Sequence, residues 1–342
     1  MMFRKYLFVL LIALFSANIM ADVVKLKADH PDRYVVVKGD TLWDISARFL
    51  QNPWKWPEIW HVNTQIKNPH LIYPGDVIVL TWKNGVPSLE IQRGRQTVKL
   101  SPSARESRIE NAIPTIPVDA IRQFMNSNRI VGKDEIDNAA YILSFSSEHL
   151  IGGEGIEVFV RNRKKEDATN RYEVLRSSKP FVDPDSGEII GYEALYLGDS
   201  EMQAEGDPAR FVLTQTRREV LKGDRMLPVK DEAIHHYYTP RSPEKTIKGR
   251  IISVVDGVSQ IGSYQVVALN KGETDGLSVG NVLGIYQTGE KVRDTISGEE
   301  SVQLPNERAG LLMVFRTYER VSYALVMEAV KPIHVLDTVV NP

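Results

Sequence analysis

Histidine and cysteine carry most metal, acid–base and nucleophilic chemistry, and here they form no constellation. The seven histidines, His30, His61, His70, His149, His235, His236 and His334, include neither HExxH nor a His-x-His pair, the spacings that bring two imidazoles to one zinc ion. Cysteine is absent, which excludes disulfides, thiolate catalysis and a lipidated amino-terminal thiol. No glycine-rich phosphate loop occurs either, so no catalytic residue, metal ligand or cofactor is expected. Indole is concentrated instead. NPWKWPEIW, residues 52–60, holds Trp54, Trp56 and Trp60, with Trp43 and Trp82 close on either side. Such a cluster can stack on the C–H face of a sugar, or it can fill the core of a domain too small to be stable otherwise. Packing is the reading favoured for Trp56 and Trp60, and both readings stay open for Trp54.

The elements that must hold this cluster follow from periodicity. YVVV, residues 34–37, is a β-branched run suited to a strand, and KGD breaks it. TLWDISARFL puts Leu42, Ile45 and Phe49 on one helical face, with Thr41 as cap and Asp44 three residues on. Pro57 suits the first position of a second short helix, through EIWHVN to about Asn63. YPGD, residues 73–76, then turns the chain into a last strand, VIVLTW.

The whole chain has 342 residues, 42% hydrophobic and 25% charged, with a formal charge of -2. That suffices for two or three domains with real cores and exerts no overall pull on nucleic acid. It begins MMFRKYLFVLLIALFSANIMA, with Arg4 and Lys5, an apolar run from Tyr6 to Phe15, and small and polar residues ending at Ala21. The run is shorter than the roughly 18 residues of a spanning helix, so residues 1–21 read as a signal peptide cleaved after Ala21. No later stretch is long and apolar enough to span a bilayer. In a double-membrane cell the mature protein is then expected in the periplasm.

Strand, helix, helix, strand, with YVVVKGDTLWDIS at the start, an Asn closing helix two and LIYPGDVIVL at the end, resembles the LysM module. The resemblance covers residues 33–82 and implies a small βααβ fold that binds N-acetylglucosamine-containing glycans such as peptidoglycan. Carried over position by position, it places Gly39, Asp40, Thr41 and Leu42 on one wall of a groove and Leu71, Ile72 and Tyr73 on the other. An N-acetyl group wants backbone N–H and C=O partners and a small apolar pocket for its methyl, which helix ends and Leu or Ile side chains can supply. Asp40 and Thr41 serve equally well as helix caps. Asn63 is expected to hold its loop rather than touch sugar. FLQNPWKWPEIW is longer than the connection usual in a LysM.

Residues 83–117 lose periodicity, are rich in Pro, Ser, Gly and Arg, and read as a flexible linker. Within them Glu106-Ser107 matches the glutamate-serine pair of lytic transglycosylases without that family's surrounding helices. A short helix, VDAIRQFM, then precedes runs such as YILSFS, IEVFVRN, RYEVLR, YQVVALN and SYALVMEAV, bounded by turn signals including PDSGE, TDG and SVGN. This region reads as β-rich and mainly antiparallel, with subdomains at 118–235 and 246–342 joined through a polar stretch containing His235-His236. GYEALYLG followed by RFVLTQTRREVLKGDRMLPV is echoed by GLLMVFRTYERV followed by YALVMEAVKPIHVLDTVVNP, which fits two related units. The fold class is therefore α+β.

Tracts such as IPVDAIRQF, FVDPDSGEIIGYEALYLGD, REVLKGDRMLP and GRIISVVDGVSQIGSYQVVALNKGETDGLSVGNVLGIY look like those of the TsaP family, LysM proteins associated with the type IV pilus secretin. That resemblance implies a FlgT-like C-terminal region and a non-catalytic adaptor: the LysM holds peptidoglycan and the rest associates with the outer-membrane secretin ring. Two other classes compete with it. One is a peptidoglycan-remodelling enzyme whose active site escapes recognition, the other a structural wall or flagellar-associated protein.

Overall fold

The computed structural model describes residues 24–60, 71–92, 112–117, 119–121, 128–164, 167, 169–229, 238–254, 260–289, 291–293 and 301–342. The signal peptide, Asn63, Glu106-Ser107, His235-His236 and most of the VDAIRQFM helix lie outside them. The chain divides into two compact units, Met1–Ile113 and Pro114–Pro342.

The first unit contains β1 (Arg33–Val35), α1 (Leu42–Phe49), a 3-10 turn at Pro53–Lys55, α2 (Trp56–Trp60), β2 (Val77–Lys83) and β3 (Val86–Gln92). Thr41 caps α1: its Oγ1 accepts from the Asp44 N–H at 3.1 Å and donates to Asp44 Oδ2 at 2.7 Å, satisfying a donor that the helix leaves orphaned. Leu42, Ile45 and Phe49 are fully buried, so the helical face read from the sequence is the core face. Pro57 sits second in α2 rather than first, because the turn from Pro53 already delivers helical backbone at Trp56.

The linker expected to open at Lys83 is a hairpin instead. Asn84 and Gly85 both have positive φ, 51° and 79°, the combination an Asn-Gly turn supports between twisted antiparallel strands. β3 then pairs with β2 from Lys83 opposite Val86 to Val77 opposite Gln92, completing an antiparallel sheet in the order β1-β2-β3. Leu89 joins the core and the Ser88 hydroxyl donates to the Ile59 carbonyl at 3.4 Å, fastening the added strand to α2. Two further segments join this unit. The Lys27 N–H donates to Phe49 and the Gln51 N–H to Lys25, and Ile113 packs into the core beside Leu42, Ile72 and Ile78.

The second unit begins with β4 (Asn128–Val131), α3 (Lys133–Asp137), β5 (Ala140–Phe145), β6 (Glu157–Arg161), β7 (Arg171–Val182), β8 (Ile189–Ala204), β9 (Ala209–Thr216) and β10 (Arg225–Pro228). It continues with β11 (Lys248–Val254), β12 (Val266–Leu269), a 3-10 turn at Glu273–Asp275, β13 (Val282–Gln287), β14 (Lys291–Val292), β15 (Val302–Gln303), β16 (Glu307–Thr317), β17 (Ser322–Ala329) and β18 (Thr338–Val340). Strands β11-β12-β17-β16-β13-β18 form a closed barrel. Strands β5-β6-β9-β8-β7-β10 follow the same cyclic order, closed by the β8–β9 pairing, with β4 added beside β8.

The match extends to register. Ala140 pairs with Met226 as Gly249 pairs with Val339, and Val158 with Phe211 as Val267 with Ala324. The register shift in β5 between Ile142 and Ser144 recurs in β11 between Ile251 and Ser253. Separate apolar clusters pack the two barrels, one around Val158, Tyr172, Phe211 and Leu213, the other around Val267, Leu283, Leu312 and Val326. Both barrels also need glycine at one crossing. A Cβ on Gly198 would lie 2.1 Å from the Gln215 carbonyl, and one on Gly310 would lie 2.1 Å from the Glu328 carbonyl. The sequence echo is thus real, but its first strand aligns at Gly198, not at Gly191. The tip of the β7–β8 hairpin grips the second barrel: Asp183 accepts from Asn270 at 2.8 Å, Asp185 pairs with Arg250 at 2.8 Å, and Glu188 pairs with Arg320 at 2.9 Å.

Candidate functional site

Two four-residue turns shape the candidate groove, and they are built alike. In Val37–Asp40 the Asp40 carboxylate accepts the Val37 N–H at 2.8 Å while its own N–H donates to the Val37 carbonyl at 3.2 Å. In Tyr73–Asp76 the corresponding distances are 3.1 and 3.0 Å. Gly39 and Gly75 take φ of 99° and 93°, the left-handed third position of a type II turn. Backbone bonds from Val36 N to the Asp76 carbonyl and from Gly75 N to the Val36 carbonyl hold the two turns side by side.

Of the seven residues proposed for the groove, Gly39 and Leu71 are exposed, Leu71 by 48%, and Tyr73 is half-buried. Leu42 and Ile72 are fully buried, so only their backbone could meet a ligand. Asp40 and Thr41 are buried as well and committed to the turn and the helix cap. The Tyr34 hydroxyl also donates to Asp40 at 3.0 Å, and burial, reinforced by that bond, pushes the Tyr34 phenol above its ordinary pKa. Arg48 lies 4.4 Å from the centre of the Tyr34 ring, close enough for a cation–π contact.

Tryptophan placement settles much of the indole question. Trp43, Trp56 and Trp60 are core residues, and Trp54 is only 9% exposed. Their rings fill the space around the long connection between the helices. Trp82, 61% exposed and opposite Pro87 on the β2–β3 hairpin, is the tryptophan whose ring meets solvent.

These features fit one known domain. Residues 34–81 match the LysM domain family. The LysM match runs from Tyr34 in β1 to Thr81 in β2 and leaves out β3, the residues around Leu26 and Ile113, which the fold adds to the module. A stretch of 55 residues is 42% identical to the uncharacterized protein YqbP of Bacillus subtilis (strain 168). The similarity spans 13% of this chain and 25% of that relative, so it speaks for the LysM part alone.

The barrels contain one string with catalytic associations. GLSVG, residues 276–280, spells G-x-S-x-G, whose serine serves as a nucleophile when a strand turns sharply into a helix. Here β13 follows, not a helix, and the Ser278 hydroxyl is 3.2 Å from Asn281 Oδ1 while accepting from Arg241 at 2.9 Å. Ser278–Asn281 is another turn of the Val37–Asp40 kind, with Ser278 N–H to Asn281 Oδ1 at 2.8 Å and Gly280 at φ 91°. Among the described residues no group of three or more His, Asp or Glu could hold a metal ion, and no helix is long and apolar enough to cross a membrane.

Proposed function

We propose that the protein is a non-catalytic adaptor of the periplasm, in which the LysM module holds peptidoglycan and the twin-barrel unit holds the outer-membrane secretin of a type IV pilus. The observation that carries the glycan half is the LysM match over residues 34–81, together with the paired turns Val37–Asp40 and Tyr73–Asp76. They present the backbone of Gly39 and the exposed Leu71 and half-buried Tyr73 on neighbouring walls. An acetamido group finds there the amide partners and apolar edge it requires. Gly39, Asp40, Thr41, Leu42, Leu71, Ile72 and Tyr73 make up the groove, with Asp40, Thr41, Leu42 and Ile72 acting through backbone and support.

The secretin half rests on the resemblance of the C-terminal tracts to the TsaP family and on two packed barrels that offer a binding body. Residues 1–21 act as the export signal. One groove binds weakly, so placement around a ring of many copies supplies the avidity.

Sedimentation with insoluble peptidoglycan tests the wall contact. Leu71→Asp alters an exposed side chain and should cut pelleting several-fold with the far-ultraviolet circular dichroism unchanged. A folded Leu71→Asp protein that pellets like the wild type removes the groove. Cross-linking in cells followed by mass spectrometry tests the secretin: recovery of flagellar components in its place overturns that partner, and release of soluble muropeptides from sacculi overturns the adaptor.

A further inference from the structure

Ile113 lies about forty positions along the chain from Ile72, yet its N–H donates to the Ile72 carbonyl at 2.8 Å and its side chain is only 4% exposed, packed in the cluster that contains Leu42 and Ile72. This is the wall assigned to the glycan. A peptide N–H beside a methyl-rich side chain has the same recognition chemistry as an acetamido group: one donor, with an apolar patch next to it. Ile113 therefore presents, from within the chain, what an N-acetylated sugar would present from outside.

The attachment is slight. Strands β2 and β3 pair along their full length, whereas among the described residues Ile72 to Ile113 is the backbone bond that joins residues 112–113 to the module. Ala112 beside it is half-buried. Its detachment takes no strand with it and withdraws one buried side chain, Ile113, from the core.

We propose that residues 112–113 are a strap docked on the Leu71–Tyr73 wall, and that an N-acetylated glycan enters the groove by displacing it. The inference rests on the glycan-binding reading of that groove. Binding is then coupled to release of the chain at the point where it leaves the module, and a docked strap lowers apparent affinity by the fraction of molecules in which it is undocked.

The test uses the mature protein and chitohexaose. Hydrogen exchange on the unmodified protein should show the Ile113 amide protected without sugar and deprotected with it. Ile113→Asp, which cannot bury its charge, and Ile113→Pro, which removes the N–H, should each bind chitohexaose about tenfold more tightly by calorimetry. Chitohexaose that binds while the Ile113 amide stays protected and the variants match the wild type shows Ile113 to be fixed core: the strap is wrong and the glycan reading stands. Absence of binding in wild type and folded variants alike overturns the glycan reading and the strap with it. Should either variant misfold, the exchange measurement on the unmodified protein decides.

Discussion

The two barrels share strand order, register and a backbone crossing that tolerates only glycine, yet they finish the same turns differently. In the first barrel Leu221–Asp224 enters β10 with Gly223 at φ 89°; in the second His334–Asp337 enters β18 with Leu336 at φ 78°. Gly155, φ 82°, donates to the Leu213 carbonyl; at the matching place Tyr264, φ 66°, donates to Val326. The second barrel thus forces two bulky residues into left-handed backbone that costs a non-glycine residue about 1 kcal/mol or more. The acids differ too. Asp224 is held by the Arg176 fork at 2.8 Å from both nitrogens, whereas Asp337 accepts the His334 N–H at 2.8 Å and, among the described residues, forms no ion pair with an arginine. A common frame survives these differences because closure of the ring, not the chemistry of any one turn, holds the strands in register.

The largest effect should come where the barrels are identical. Gly198→Ala and Gly310→Ala each place a methyl at 2.1 Å from a carbonyl oxygen, and overpacking against backbone should cost about 3 kcal/mol in both. Urea unfolding followed by far-ultraviolet circular dichroism measures it, and a tolerated alanine in one barrel alone would show that its crossing is looser. Indole fluorescence offers a separate reading of the LysM module, because all five tryptophans lie between residues 43 and 82.

A smaller effect should separate the two acids. Asp224→Asn leaves Arg176 without its charged partner and should cost about 2 kcal/mol. Asp337→Asn keeps an acceptor for the His334 N–H, as Asn281 does for Ser278, and should leave stability at neutral pH unchanged or raised. The sign follows from burial, which pushes the Asp337 carboxyl above its ordinary value against the pull of the His334 N–H. The folded protein then holds the proton to higher pH than the unfolded chain does, so this group's contribution falls as pH rises from about 4 through the folded value. Asp337→Asn should abolish that decline, and an unaltered pH profile would show that Asp337 is not its source.

The smallest effect tests the strained turns. Leu336→Gly and Tyr264→Gly should each raise stability by about 0.5–1 kcal/mol, because relief of left-handed strain outweighs the added freedom of glycine in the unfolded chain. Gly223→Leu should lower stability by a similar amount. A loss in Leu336→Gly, measured by the same urea midpoints, would mean that the Leu336 side chain is bound to something that outweighs its backbone cost.

Much of the LysM module was legible because its signals are local. The Thr41 cap, the helical face of Leu42, Ile45 and Phe49, and the Gly-Asp turns at 37–40 and 73–76 each close within a few residues. The β3 hairpin had an equally local signal in Asn84-Gly85, flanked by Trp82 and Val86, and the Pro- and Ser-bearing context hid it. For the proposed groove, the turns named from the sequence do form, but the sequence could not tell exposed side chains from buried ones. Leu42 and Ile72 differ from Leu71 only in which way the fold faces them, and that depends on packing with Ile78, Leu89 and Ile113.

By itself, the sequence determined the absence of thiol chemistry, the alternation of strands and turns, and the placing of turns at KGD and YPGD. Only the tertiary structure decided that two six-stranded rings close with one topology, that the rings align at Gly198 and Gly310, that Trp54 is buried, and that Ile113 returns to Ile72. The physical reason is range. A turn's hydrogen bonds join atoms that the chain already holds together, whereas ring closure and the return of Ile113 bring together residues whose positions are set by burial of a shared core.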